Sequence, residues 1–195
     1  MNEVYFPALF PGFPLPEELA EAAEHFSAAC REENILYAEA ILNPTHWPQF
    51  SLPDIISAVT EGFDRGEAAD GADCRFTLSL SRNQTAEEAD ALISAMERCR
   101  TPRLAGLSID GNEALSGRTG DRFAPAFARA RELGFGLTAH AGESSGPEGV
   151  LDALECLKAD RIDHGVRAAE DPALLERLQA LLPDPLLLPQ QKLHS

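Results

Sequence analysis

His140, Glu143 and His164 are the residues of this chain whose types and spacing could do chemistry. His140 ends the apolar run Gly136–His140, two small residues follow, and Glu143 completes the tetrapeptide HAGE. Ala141 and Gly142 let the backbone turn sharply, so that Glu143 re-enters the space beside His140. His164 ends the next apolar run, in RIDHG, directly before Gly165. A lone histidine is more often a hydrogen-bonded structural residue than a ligand. Two imidazoles and a carboxylate converging on one rim are a different matter. They supply a ligand, a proton shuttle and a water-orienting group, the set that metal-assisted hydrolysis needs.

The elements that must position these residues alternate along the chain. Helical spacing covers Glu17–Glu33, with Pro16 at the start, then Leu52–Ala69, Ala86–Cys99 capped by Thr85, Asp121–Leu133 closed by Gly134, Pro147–Leu157 and Asp171–Leu182 capped by Asp171. Between them, short apolar runs read as strands: Ile35–Leu42, Cys74–Leu80, Leu104–Ile109, Gly136–His140 and Arg161–Asp163, with a further start at Leu186–Leu188. Buried strands alternating with helices indicate a parallel sheet covered by helices, or a barrel. Asp110-Gly111-Asn112-Glu113, His140–Glu143 and His164-Gly165 all follow strand C-termini. Three separate strands feeding one rim fit a (β/α)₈ barrel better than an open sheet with a single switch point. The predicted fold is therefore α/β, a partial (β/α)₈ TIM-type barrel forming one domain over residues 1–195.

Composition narrows the partners. The formal net charge is -16, with 32 acidic residues against 16 basic ones. That excess repels nucleic-acid phosphates and anionic membrane surfaces, so neither is an expected partner. No apolar run approaches the roughly 20 residues that span a bilayer. The N-terminus lacks a basic region and is broken by Pro7, Pro11 and Pro14, unlike a signal peptide. A cytoplasmic location is expected. Cys30, Cys74, Cys99 and Cys156 lack metal-cluster spacing and read as reduced, mostly buried thiols. His46, in NPTHWP, reads as a rim-loop histidine packed on Trp47, and Glu39 of YAEA as a strand carboxylate without an assigned role.

The run SIDGNE, LTAHAGE, GPE, RIDHG and EDPAL, in that order, closely resembles the adenosine/adenine deaminase family of the amidohydrolase superfamily. The resemblance covers about residues 20–182, and the 183–195 tail departs from it. It implies a zinc-dependent hydrolytic deamination of a 6-aminopurine, with residue roles carried over one by one. His140 resembles the zinc-binding histidine of the fifth barrel strand. Glu143 resembles the acid that protonates purine N1 as C6 is attacked. His164 resembles the histidine that orients and helps deprotonate the metal-bound water. Gly111, in DGNE where the family often has AGDE, resembles the glycine whose backbone contacts purine N3. RIDHGV is similar to adenine-type members, whereas DGNE and the GPE after HAGE are similar to the adenosine type. A purine nucleoside of the adenosine kind is the expected substrate.

The resemblance also implies ligands that this sequence does not contain. The family's HxH motif is absent, as is an aspartate after the eighth strand. The visible strands correspond to the family's second through sixth, so the chain reads as a fragment, a truncated frame or a degenerate paralogue. By itself it is expected to hold Zn²⁺ poorly, to show no deaminase activity and to self-associate through open barrel edges. A non-catalytic remnant acting through association with another chain is the alternative to the enzyme.

Overall fold

The computed structural model describes residues 15–181. Most of the outer helices start at a local sequence signal. Pro16 opens α1 (Pro16–Glu32), where its missing N–H has no partner to lose. Ser51 and Thr85 form capping boxes with Asp54 and Glu88 ahead of α2 (Leu52–Ala68) and α3 (Ala86–Arg98). A one-turn helix, α4 (Glu113–Ser116), precedes α5 (Gly120–Glu132), and α6 (Pro147–Glu155) and α7 (Pro172–Leu181) follow. Asp171 caps α7, its carboxylate accepting from the Ala173 and Leu174 amides.

The strands are β1 (Tyr37–Leu42), β2 (Asp73–Ser81), β3 (Leu104–Asp110), β4 (Gly136–Ala141) and β5 (Arg161–His164). They form one sheet in the order β1-β2-β3-β4-β5, every pair parallel. Some boundaries differ from those expected. β1 begins at Tyr37, the first residue in register with β2, while Leu36 lies 70% exposed. α5 starts one residue early because Asp152, far along the chain, accepts from the Gly120 amide at 2.7 Å. α6 stops at Glu155, two residues short, ahead of the left-handed turn at Lys158. The expected strand at Leu186–Leu188 and the atypical tail lie outside the described residues.

Alternation sorts the strand side chains. Leu78, Leu80, Leu107, Ile109, Leu137 and Ala139 face the helices and join Ile55, Phe63, Ile93, Met96, Phe123 and Phe127 in the main core. α1 packs tightly on α2 through Gly62, where a Cβ would stand 2.1 Å from the Ala20 carbonyl oxygen. The alternate residues face the other way and are polar: Thr77, Ser79, Ser108, Asp110, Thr138, His140 and Asp163 are all buried.

The sheet curls around that polar face. Arg161 Nη1 of β5 donates to Glu39 Oε2 of β1 at 2.7 Å. In a flat sheet four strand spacings would hold these strands roughly 19 Å apart, too far for two side chains to meet. Tyr37 donates to the other oxygen of Glu39 at 2.6 Å, and Arg161 continues to Asp163, which accepts from Thr138. The described part of the protein is thus a curled, five-stranded half-barrel with helices outside. No helix among the described residues is long and apolar enough to cross a membrane.

Burial pushes the Glu39 carboxyl up, but the Tyr37 hydroxyl and the Arg161 guanidinium outweigh it and hold it below the usual carboxylate value. A depressed folded-state value contributes stability above the unfolded pKa of about 4.3, lost as pH falls through the folded value. With Arg161 39% exposed, Glu39→Gln should cost about 1 kcal/mol at pH 7. Urea titrations of both proteins at pH 7 and pH 3 check this, and the gap should shrink at the lower pH.

Candidate active site

The C-terminal ends of β3, β4 and β5 carry the polar cluster. His140 is the penultimate residue of β4 and His164 the last of β5. Their rings lie 5.0 Å apart, centroid to centroid, tilted by 36°. His164 Nε2 stands 3.8 Å from Glu143 Oε2. His140 is buried at 5% exposure, whereas the Glu143 side chain is 60% exposed and faces the open space.

Two left-handed residues aim this group. His164 pairs in register with Ala141, which faces the helices, so plain alternation would send its ring away from His140. His164 instead has φ 71°, a conformation that costs a side-chain-bearing residue roughly 1–2 kcal/mol. The neighbouring backbone holds it there: Gly165 N–H donates to Ala141 O at 2.9 Å, and Arg167 N–H to Gly142 O at 3.0 Å. Gly142, with φ 66°, makes the turn that brings Glu143 back to the site, and a Cβ there would meet Val150 at 2.6 Å.

Beneath the turn sits Glu113, which residue-type reasoning had passed over in favour of Gly111. It is 5% exposed. Its carboxylate accepts from the amides of Gly142, Glu143, Ser144 and Ser145 at 3.1, 3.0, 3.2 and 3.3 Å, and from the Ser145 hydroxyl at 2.8 Å. Four successive N–H groups pointing at one anion form a nest of the kind that binds phosphates elsewhere. Burial pushes the Glu113 carboxyl up, and these donors more than reverse it, leaving it below the usual value.

Buried Arg82 completes the support. Its Nη2 donates to His140 O at 2.6 Å and its Nη1 to Gly111 O at 3.3 Å, while Glu113 Oε1 lies 3.9 Å from the guanidinium. Gly111, with φ 98°, therefore stands beside His140 through a shared guanidinium. The four residues singled out from the sequence, His140, Glu143, His164 and Gly111, lie at one end of the sheet. Glu113 and Arg82 escaped notice because each acts on backbone atoms, which leave no side-chain spacing to read. The available signal was a carboxylate two residues past Gly111, just beyond the strand next to that of HAGE.

The remaining polar residues divide plainly. His46 meets Trp47 edge-on, with centroids 6.3 Å apart. Glu39 belongs to the barrel interior, three residues below the rim. All four thiols are free, Cys30 and Cys74 buried, Cys99 and Cys156 half-buried. Among the described residues no group of three or more His, Cys, Asp or Glu side chains could hold a metal ion. A catalytic zinc takes three protein ligands and keeps one position open, so these residues alone do not make such a site.

Parallel strands curled about a polar face, with histidines and carboxylates at their C-terminal ends, mark a (β/α)-barrel enzyme scaffold. The family model for adenosine deaminase matches residues 15–181, and the chain belongs to that family. An adenine deaminase of Agrobacterium fabrum is 38% identical over 168 residues, which is 85% of this chain and 51% of that protein. One from Cupriavidus necator is 41% identical over 150 residues, 75% of this chain and 41% of that protein. A zinc-bound amidohydrolase of Burkholderia ambifaria superposes with a TM-score of 0.77 at 31% identity, over 85% of this chain and 46% of that one. The chain spans about half the length of the curated relatives it matches.

Replacing Glu113 removes the anion from four amides and leaves Arg82 short of a counter-charge. Glu113→Ala should destabilise the fold by about 3 kcal/mol. Hydrogen exchange of the amides of residues 142–145, followed by NMR, should accelerate at least tenfold beyond the change in the helices. Uniform acceleration throughout the protein would show that the carboxylate supports the whole domain and not this loop.

Proposed function

We propose that this chain carries the proton-handling half of a purine deaminase site, acting on a free 6-aminopurine base. The observation that supports this best is the meeting of Glu143 and His164 beside His140 at the strand C-termini. In hydrolytic deamination, water adds to C6, the ring takes a proton at N1, and ammonia leaves as the C6 carbonyl forms. Glu143 is the donor to N1, its carboxyl facing the open space beside His164 where the purine ring would lie. His164 takes the proton from the attacking water and returns it to the departing amino group, while the C6 hydroxyl proton returns to Glu143 as the carbonyl forms. The Gly111 backbone N–H binds N3 and sets the ring's orientation. His140 is the chain's ligand toward the zinc of the family, whose other ligands the described residues do not supply.

The matched relatives favour the base over the nucleoside expected from DGNE and GPE. The Agrobacterium fabrum and Cupriavidus necator proteins are both named adenine deaminases. RIDHGV resembles that side of the family.

The 195-residue chain with added Zn²⁺ should leave adenine and adenosine unchanged. Residues 15–181 exchanged into the Agrobacterium fabrum relative, which supplies the rest of the barrel, should give a protein that releases ammonia from adenine. Glu143→Ala in that hybrid should lower kcat by about 10²–10⁴-fold. A folded, zinc-loaded hybrid that turns over no purine, or one indifferent to Glu143→Ala, would refute the reading.

A further inference from the structure

Asp110 is a buried carboxylate that none of the roles above uses. It ends β3 at 6% exposure, directly before Gly111. Alternation places it with Ser108 on the concave polar face, since Leu107 and Ile109 belong to the core behind the sheet. Asn43, just past β1, donates through Nδ2 to Asp110 Oδ1 at 2.6 Å. The direction of that bond is fixed, because Asn43 Oδ1 already accepts from the Thr45 amide at 3.0 Å and the Thr45 hydroxyl at 2.7 Å. The amide group therefore offers Asp110 only its N–H, and Asp110 must act as an acceptor. Burial pushes the Asp110 carboxyl up, against the pull of Asn43, Ser79 and the His140 and His46 imidazoles. A further donor would stabilise this carboxylate, and a ligand beside His140 could bring one.

The chemistry of purines says which donor. In a free 6-aminopurine base the edge opposite C6 presents N3 as an acceptor and N9–H as a donor, side by side. In a nucleoside N9 carries the sugar and has no proton. Consecutive residues at the end of β3 present the complement, the Gly111 backbone N–H and the Asp110 carboxylate. We propose that Asp110 is a specificity-determining residue that selects the free base over its nucleoside, its carboxylate accepting the N9–H that only the base carries. This rests on the purine deaminase reading given above. Binding of a nucleoside would leave a buried acceptor facing a group without a proton, and sites built around a hydrogen bond reject analogues that lack it.

The test uses the 195-residue chain and two ligands, adenine and 9-methyladenine, in which a methyl group replaces the N9 proton; Asp110→Asn separates the lost donor from the added bulk, since bulk would be felt by both proteins. Affinities follow from NMR chemical-shift titration, which reaches weak binding. Adenine should bind at least about tenfold more tightly than 9-methyladenine, as expected for a charge-assisted bond. Asp110→Asn keeps the side-chain size and the Asn43 contact, and it should bring the two affinities within about twofold of each other. Equal affinities in the unaltered chain, or a preference that survives Asp110→Asn, would overturn the proposal while adenine binding upholds the purine reading. A folded chain that binds neither ligand would overturn that reading and the proposal with it. If Asp110→Asn unfolds, as circular dichroism would reveal, the comparison of ligands on the unaltered chain decides.

Discussion

The Glu113 carboxylate accepts hydrogen bonds from four consecutive amides of the loop between β4 and α6, with the Arg82 guanidinium alongside. An isolated buried carboxylate is costly, and the attraction of its partners repays that cost only when the geometry is good. The interaction therefore works in both directions. The loop cannot move off without stranding a charge, and the charge cannot turn outward without leaving four amides unbonded. Since Glu143 contributes one of those amides, its backbone is tied to the short helix α4 that follows β3, while its side chain faces the open space. Arg82 ties the carbonyls of Gly111 and His140 in the same way. Three strands are thus held at fixed separation by groups that never touch a reacting atom.

This support is useful only because the sheet is curled. The bond between Arg161 and Glu39 crosses the concave side, and the residues between them form a polar interior of Thr77, Ser79, Ser108 and Thr138. A half-barrel with an apolar outer face and a polar inner one divides labour between its two sides. Packing against the helices supplies stability, and the inner face presents hydrogen-bonding groups that converge toward the rim. The left-handed backbone at His164 lies where these demands meet. It breaks strand alternation by one residue and thereby moves an imidazole from the core side to the site.

Much of this was legible in the sequence. The parallel α/β alternation, the helix starts at Pro16, Thr85 and Asp171, and the rim placement of HAGE and RIDHG follow from hydrophobic period and turn residues, which local physics governs. The inward turn of His164 was not legible, since nothing in RIDHG specifies a positive φ for a histidine. Glu113 and Arg82 were hidden for a related reason. A side chain that bonds to backbone has partners of no particular residue type, so no pattern announces it. Glu39 was visible as a charge on a strand, yet its partner lies 122 positions away and is reached only once the sheet curls. The short helix at Glu113–Ser116, too brief for a periodic signal, had to be seen.

One buried carboxylate, in the short helix that follows β3, holds the loop of Glu143 beside His140 and His164. A crystal structure of the chain with adenine bound measures this most directly. Glu113 should be enclosed by the amides of residues 142–145, with the Glu143 carboxyl at hydrogen-bonding distance from N1. A structure in which Glu113 points to solvent, or in which adenine lies away from Glu143 and His164, would contradict it.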